Sequence, residues 1–73
     1  MNEFGKRLKL VRSQYALSQD ELGDKLHIGK SSVSRYESGE IQPTIDKLIE
    51  ISNYFNVSID WLVGKGSIDL YIR

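Results

Sequence analysis

The apolar residues between Ser18 and Glu37 are spaced as in two short helices that meet at a tight turn. Two helices that cross at roughly a right angle would bury these residues against each other. The apolar positions are Leu22, Leu26, Ile28, Val33 and Tyr36. The pattern therefore predicts a helix-turn-helix motif in which the outer side of the second helix is polar.

The first helix of this motif carries clear start signals. Ser18 and Glu21 have the spacing of a capping box, and Leu17 and Leu22 can form a hydrophobic staple around it. We therefore expect this helix to begin at Gln19.

Small and turn-forming residues separate the two helices. Gly23 is expected where the helices approach most closely, because it has no side chain. His27 falls at the turn, where a positive φ is expected, and histidine adopts that conformation more readily than most residues. A single histidine without cysteine is better explained as a turn residue than as a metal ligand. Gly29 and Gly39 are expected as the N-cap and the left-handed C-cap of the second helix.

The outward side of that second helix carries short hydroxyls and basic groups. These residues are Lys30, Ser31, Ser34 and Arg35. Such a surface suits the DNA major groove, where donors near the helix N-terminus can reach base edges.

A further helix is predicted from residue 2 or 3 to Tyr15. Its apolar face comprises Phe4, Leu8, Val11 and Tyr15. Lys6 and Lys9 point away from this face, and Arg7 lies at its flank. The basic outer side could contact a DNA backbone, or it could be an ordinary solvated surface.

Two more helices are predicted in the second half of the chain. Thr44 is the expected N-cap of a fourth helix and Asn56 its left-handed end. The apolar face of this helix is expected to comprise Ile45, Leu48, Ile49, Ser52 and Phe55. Ser58 then caps a short fifth helix that ends at Gly64 and carries Ile59, Trp61, Leu62 and Val63. Trp61 suits a core or dimer-edge position better than a ligand site.

The last residues alternate between apolar and polar side chains, which is a strand pattern. Ile68, Leu70 and Ile72 are the apolar members, and Lys65 and Gly66 precede them as a predicted hinge. A solitary strand leaves its backbone groups unpaired, so its natural partner is the same strand of a second molecule. A frayed terminus is the alternative.

The net charge of the 73 residues is zero, but it is unevenly distributed. Residues 1–36 carry seven basic and four acidic side chains, whereas residues 37–73 carry three basic and six acidic ones. This asymmetry is typical of a protein with one phosphate-facing surface. The neutral total argues against a general nucleic-acid coating protein.

Composition excludes several other classes. The chain has no cysteine and a single histidine, and it contains no phosphate-binding glycine loop. We therefore expect no enzyme, cofactor, metal or small-molecule ligand. No apolar run is long enough for a signal peptide or a membrane span, which predicts a cytoplasmic, nucleoid-associated protein.

Several separated motifs resemble the phage repressor and Cro type of helix-turn-helix proteins, also called the xenobiotic-response-element family. They are residues 4–12 (FGKRLKLVR), 17–22 (LSQDEL), 33–39 (VSRYESG), Pro43 and 57–64 (VSIDWLVG). The resemblance implies an all-α, five-helix, lambda-repressor-like domain that binds operator DNA, usually as a two-fold dimer. His27, Gly23 and Gly29 depart from the family's usual glycine, alanine and polar N-cap.

Residue roles follow from this resemblance. Gln19 matches a phosphate-contacting glutamine that braces the recognition helix, and Ser32 matches another backbone-contacting position. Lys30, Ser31 and Arg35 match base-contacting positions. Arg12 and Glu37 match a largely buried ion pair, whose loss from one side is costly.

We therefore expect a helix-turn-helix domain over residues 1–65 and a possible dimerisation strand over residues 66–73. The expected function is sequence-specific transcriptional regulation, with repression as the output and a dimer bound to a palindromic operator. Trp61, Ile68, Leu70 and Ile72 are the candidate dimer contacts, and Lys9 and Ser34 complete the candidate DNA contacts. An antitoxin or another protein-binding module that reuses the fold is the alternative.

Overall fold

A computed structural model describes residues 3–66, and this part of the chain folds into five helices. They are α1 (Glu3–Gln14), α2 (Gln19–Lys25), α3 (Lys30–Ser38), α4 (Ile45–Phe55) and α5 (Ile59–Leu62). The predicted all-α architecture and the start of α2 at Gln19 are confirmed. Among these helices none is long and apolar enough to cross a bilayer. The predicted strand lies outside the described residues and stays a prediction.

Three helices begin at a hydroxyl side chain that accepts a backbone N–H three residues later. The acceptors are Ser18 for α2, Thr44 for α4 and Ser58 for α5, at donor–acceptor distances of 3.0, 3.1 and 3.0 Å. Ser18 forms a complete capping box, because its own N–H donates to Glu21 Oε1 at 2.8 Å. Gly29 is the N-cap of α3 and makes no side-chain hydrogen bond to the helix, because glycine has no side chain.

Left-handed backbone residues end or separate the helices. His27, Gly39 and Asn56 have φ values of 59°, 84° and 58°, as the sequence predicts. Ala16 has φ of 57° in the connection between α1 and α2, and the sequence contains no signal for it.

Gly23 lies at a close approach, but the neighbour is the turn rather than a facing side chain. A Cβ atom at this position would lie 2.8 Å from the Ile28 carbonyl oxygen. The Ile28 N–H also donates to the Gly23 carbonyl at 2.9 Å. The missing side chain thus permits the turn to fold back on α2.

One core joins all five helices. Phe4 packs edge-to-face on Tyr36, with ring centroids 5.8 Å apart, and so connects α1 to α3. The buried apolar residues are Phe4, Leu8, Val11, Leu22, Leu26, Val33, Tyr36, Ile51, Phe55, Val57, Trp61 and Leu62. The apolar residues predicted for the helix-turn-helix are among them, except Ile28, which is partly buried and packs against the cluster.

The predicted place of Tyr15 on the inner face of α1 was wrong, and the helix ends one residue before the predicted end. The helix ends at Gln14, and Tyr15 is 50% exposed. Its hydroxyl donates to the Phe55 carbonyl at 3.1 Å, so the ring lies across the end of α4 rather than inside the core. Arg7, expected at the flank, is buried instead.

The predicted inner face of α4 was also wrong in part. Ile45 and Ile49 are 74% and 44% exposed, whereas Ile51 is fully buried. The core buries Ile51, Ser52 and Phe55, and Leu48 packs against it. Leu48, Ser52 and Phe55 therefore lie on the predicted face, whereas Ile45 and Ile49 lie off the face that meets the core. Periodicity showed an apolar side but not its centre, because the centre depends on which helices pack against α4.

Replacement of Ser18 by alanine should destabilise the domain by about 1 kcal/mol, since it removes the cap of α2. Thermal unfolding followed by circular dichroism measures this effect. Ser13→Ala, at an exposed position near the end of α1, is the matched control and should change the melting temperature little. Equal effects of both variants would contradict a specific capping role.

The capping box should also be visible in a pH titration. Hydrogen bonds donated to the Glu21 carboxylate by the Ser18 backbone N–H and, secondly, by the Ser18 hydroxyl lower the pKa of Glu21 below its ordinary value. Because the folded-state pKa is the lower one, this stabilisation is present above the unfolded pKa and is lost as pH falls through the folded pKa. NMR titration of the carboxyl group in the native protein and in Ser18→Ala measures the shift. A Glu21 pKa at or above its ordinary value in the native protein would contradict the box.

Candidate nucleic-acid interface

The recognition surface is defined here as the exposed polar side of α3. Lys30, Ser31, Ser34 and Arg35 are exposed, and Ser32 is partly buried. The opposite side of the helix is fixed in the core by Val33 and Tyr36. The sequence thus predicted which residues of α3 face outward.

A polar network holds α3 against α1 and α2. The Arg12 guanidinium donates to Glu37, with Nε 2.6 Å from Oε2 and NH2 3.1 Å from Oε1. The Gln19 amide donates to the same Oε1 at 3.1 Å. The carboxylate of Glu37 therefore receives donors from the two helices that precede α3.

This network is largely sheltered from water. The side chains of Arg12 and Glu37 are 13% and 5% exposed, and Arg12 NH1 also donates to the Leu17 carbonyl at 2.8 Å. A sheltered charge is costly when its partner is removed, because the remaining charge stays desolvated. The two residues form the ion pair expected from the resemblance, and Gln19 occupies a bracing position against it.

Arg35 has an acidic neighbour, Glu40, that no sequence pattern marks. Its Nε lies 3.6 Å from Glu40 Oε2, and both side chains are more than half exposed. The backbone sets this proximity, because the Glu40 N–H donates to the Arg35 carbonyl at 2.9 Å after the turn at Gly39. An exposed pair of this kind contributes little stability and leaves the Arg35 guanidinium accessible to another acceptor.

Lys9 lies on the exposed side of α1, as predicted, and Gln19 at the N-terminus of α2 is partly buried. A DNA contact by either residue remains a prediction.

Trp61 is a core residue. It is 2% exposed, and the Arg7 guanidinium lies over its ring at 5.1 Å from the centroid. The interpretation of its side chain as a dimer contact was therefore wrong, because almost none of its surface is available to a second subunit. The other candidate dimer contacts, Ile68, Leu70 and Ile72, lie outside the described residues.

Comparison with known proteins identifies a family whose model covers most of the five helices. The helix-turn-helix family model matches residues 8–62, from the second turn of α1 to the end of α5. The chain belongs to this family. The match includes Arg12, Gln19 and the whole of α3, to which Glu37 belongs.

Named regulators are among the similar proteins. The chain is 42% identical to the transcriptional regulator ImmR of Bacillus subtilis over 64 residues, which cover 88% of this chain and 50% of ImmR. It is 35% identical over 63 residues to RstR, a cryptic phage CTXphi transcriptional repressor of Vibrio cholerae, covering 86% of this chain and 56% of RstR. The chain thus spans about half the length of these relatives.

A solved structure shows the same fold. The P22 c2 repressor, crystallised in complex with a synthetic operator, superposes with a TM-score of 0.80 at 24% identity. The match covers 86% of this chain and 96% of the repressor chain. At this identity the likeness concerns the arrangement of the helices.

Single substitutions in the buried pair should be costly. Arg12→Ala and Glu37→Ala should each destabilise the domain by about 3–5 kcal/mol, because the partner charge is left sheltered without its counter-ion. Denaturant unfolding of each variant measures the change. We expect a domain of this size to be largely unfolded at room temperature after such a loss.

Glu40→Ala provides the matched control, since it removes a carboxylate from the exposed ion pair with Arg35. Its effect should be at most about 1 kcal/mol. Comparable losses in the free energy of unfolding for Glu37→Ala and Glu40→Ala would show that the buried pair stabilises the domain no more than the exposed pair.

Proposed function

We propose that this chain is a sequence-specific DNA-binding transcriptional regulator, and that repression is its output. The observation that carries the proposal is the exposed hydroxyl and basic side of α3, held in a fixed orientation by the network of Arg12, Gln19 and Glu37. A rigid helix that projects donors from its first turns can enter the major groove and contact base edges.

Each residue of the recognition surface has a proposed role. Lys30 and Ser31, at the N-terminal end of α3, contact base edges, and Arg35 contacts a base one turn later. Its fork of N–H groups suits the O6 and N7 acceptors of guanine. Ser34 shares the exposed side of α3 with these residues.

Phosphate contacts would position this surface on the duplex. Ser32 and Gln19 are proposed to donate to the DNA backbone, and Lys9 adds a positive charge from α1. Gln19 is proposed both to contact a phosphate and to hold α3 in place. It is the first residue of α2, and its amide donates to Glu37 of α3. Because Gln19 and Glu37 are hydrogen-bonded, a phosphate contact by α2 would also fix the position of α3 on the DNA.

The names of the relatives support this function. ImmR is a transcriptional regulator, RstR is a repressor, and the P22 c2 repressor was crystallised with operator DNA. We infer from the same comparisons that the chain acts through binding rather than catalysis, in the cytoplasm at the nucleoid.

A two-fold dimer is the proposed functional unit. Two recognition helices about 34 Å apart can occupy successive major grooves on one face of the duplex, which gives a palindromic operator. The proposed contacts between subunits are the surface of α5 and the segment of residues 66–73, with its apolar Ile68, Leu70 and Ile72. Both segments lie at the same end of the chain.

Selection of bound sites from random double-stranded DNA tests the function. We expect enrichment of two inverted half-sites at one preferred separation. Enrichment of no sequence, with binding to a protein partner instead, would favour a protein-interaction module such as an antitoxin.

Substitution of Lys30 tests the assignment of base contact. Lys30→Ala should weaken binding to the selected operator by about 1–3 kcal/mol and relax preference at one base pair, with a smaller effect on scrambled DNA. Fluorescence anisotropy at fixed salt measures both affinities. Lys25→Ala removes the same charge from α2 and should leave the ratio of the two affinities unchanged. Equal losses of Lys30→Ala on both DNAs would reassign Lys30 to phosphate contact.

A further inference from the structure

Arg7 is a buried charge to which the proposed DNA contacts give no role. Its side chain is 7% exposed, and its Nε lies 3.1 Å from Glu3 Oε1 within α1. The guanidinium stacks over Trp61 of α5, at 5.1 Å from the ring centroid. Burial of an arginine is costly unless its donors are satisfied, so the groups that accept its hydrogen bonds show what it holds in place.

These groups are backbone carbonyls at the end of α5. Arg7 NH1 donates to the carbonyls of Trp61 at 2.8 Å and Lys65 at 3.2 Å, and NH2 donates to that of Gly66 at 3.0 Å. One guanidinium thus binds both the last turn of α5 and the segment that directly follows Gly64. We call this set of contacts the Arg7 clamp.

The packing around the clamp is tight. Gly64 has φ of 108°, and a Cβ atom there would lie 3.1 Å from the Glu3 Cβ. The first turn of α1 and the exit from α5 are therefore in direct contact. The direction in which the chain leaves α5 is defined by α1.

A second arginine, five residues later on the same helix, holds the recognition helix. Arg12 binds Glu37 of α3, so Arg7 and Arg12 attach opposite parts of the domain to α1. The two residues are separated by a rise of about 7.5 Å along a rigid helix. The end of α5 is thereby held at a defined angle to α3.

We propose that Arg7 is a positioning residue that sets the separation of the two DNA half-sites this protein prefers. The proposal rests on the proposed function, in which the dimer forms through α5 and residues 66–73. Arg7 touches neither DNA nor the second subunit in this scheme. It fixes the end of α5, up to Gly66, relative to the recognition helix. In a dimer that forms through α5, this angle determines how far apart two recognition helices lie.

The test uses the half-site obtained by selection with the native protein. One set of duplexes carries two inverted half-sites at a series of separations, and one duplex carries a single half-site. Affinities of native protein and Arg7→Met are measured on all of them. Methionine retains an unbranched apolar stem over Trp61 but has no N–H groups for the carbonyls.

Native protein should prefer one separation, because two linked sites gain about 10²–10⁴-fold in affinity when the geometry fits. Arg7→Met should bind the single half-site as native protein does, but its profile over the separations should be flat or displaced. Lys6→Met is the matched control, since it removes the same charge from an exposed neighbouring position. It should keep the native profile.

An unchanged profile in Arg7→Met would overturn the proposal while leaving the dimer intact. Parallel losses on the single half-site and on every pair would also overturn it, because they would assign Arg7 to general stability. A flat profile for native protein would instead refute the dimer in the proposed function, and the role of Arg7 with it. If Arg7→Met does not fold, Arg7→Lys is measured instead. Lysine keeps the charge but has no planar fork of N–H groups to reach the same carbonyls. A flat or displaced profile for Arg7→Lys would support the clamp, and a native profile would overturn it.

Discussion

The carboxylate of Glu37 is the point on which the orientation of the recognition helix depends. It sits on α3, is almost completely sheltered, and accepts from Arg12 on α1 and Gln19 on α2. A sheltered carboxylate without these donors would be strongly disfavoured, so the three helices are constrained to one arrangement. That arrangement leaves the side of α3 bearing Lys30 and Arg35 free of contacts with the core. An apolar interface alone tolerates small rotations of a helix, whereas this bidentate pair has a defined geometry.

Helix α1 contacts both α3 and the end of α5, and it holds them relative to each other. Its apolar side, with Phe4, Leu8 and Val11, forms the middle of the core, and its arginines reach in two directions from the edges of that side. Arg12 holds α3 and Arg7 holds the end of α5. Each arginine combines side-chain and backbone acceptors, which satisfies most of its donors and makes its burial tolerable. A domain too small for a large apolar core thus gains its defined shape from a few polar contacts at helix junctions.

Local features of this fold could be predicted from the sequence because they depend on neighbouring residues. Ser18, Thr44 and Ser58 identify helix starts, and His27, Gly39 and Asn56 identify left-handed ends. Features that depend on packing between residues far apart in the sequence were harder to predict. The exposed positions of Tyr15 and Ile45 and the burial of Trp61 depend on where other helices lie. For the candidate site, periodicity predicted the outward residues of α3, but the pairing of Arg12 with Glu37 came from family resemblance. Arg7 had one signal, its place beside the apolar side of α1, and its partners are backbone carbonyls that no sequence pattern marks.

The most direct measurement is a crystal structure of the native protein bound to its selected operator. We expect α3 to lie in the major groove, Lys30 and Ser31 to reach base edges, and Gln19 to contact a phosphate while its amide still donates to Glu37. The Arg12–Glu37 pair should have the same geometry as in the free domain. A complex in which α3 lies outside the groove, or in which Gln19 and Arg12 release Glu37 on binding, would contradict it.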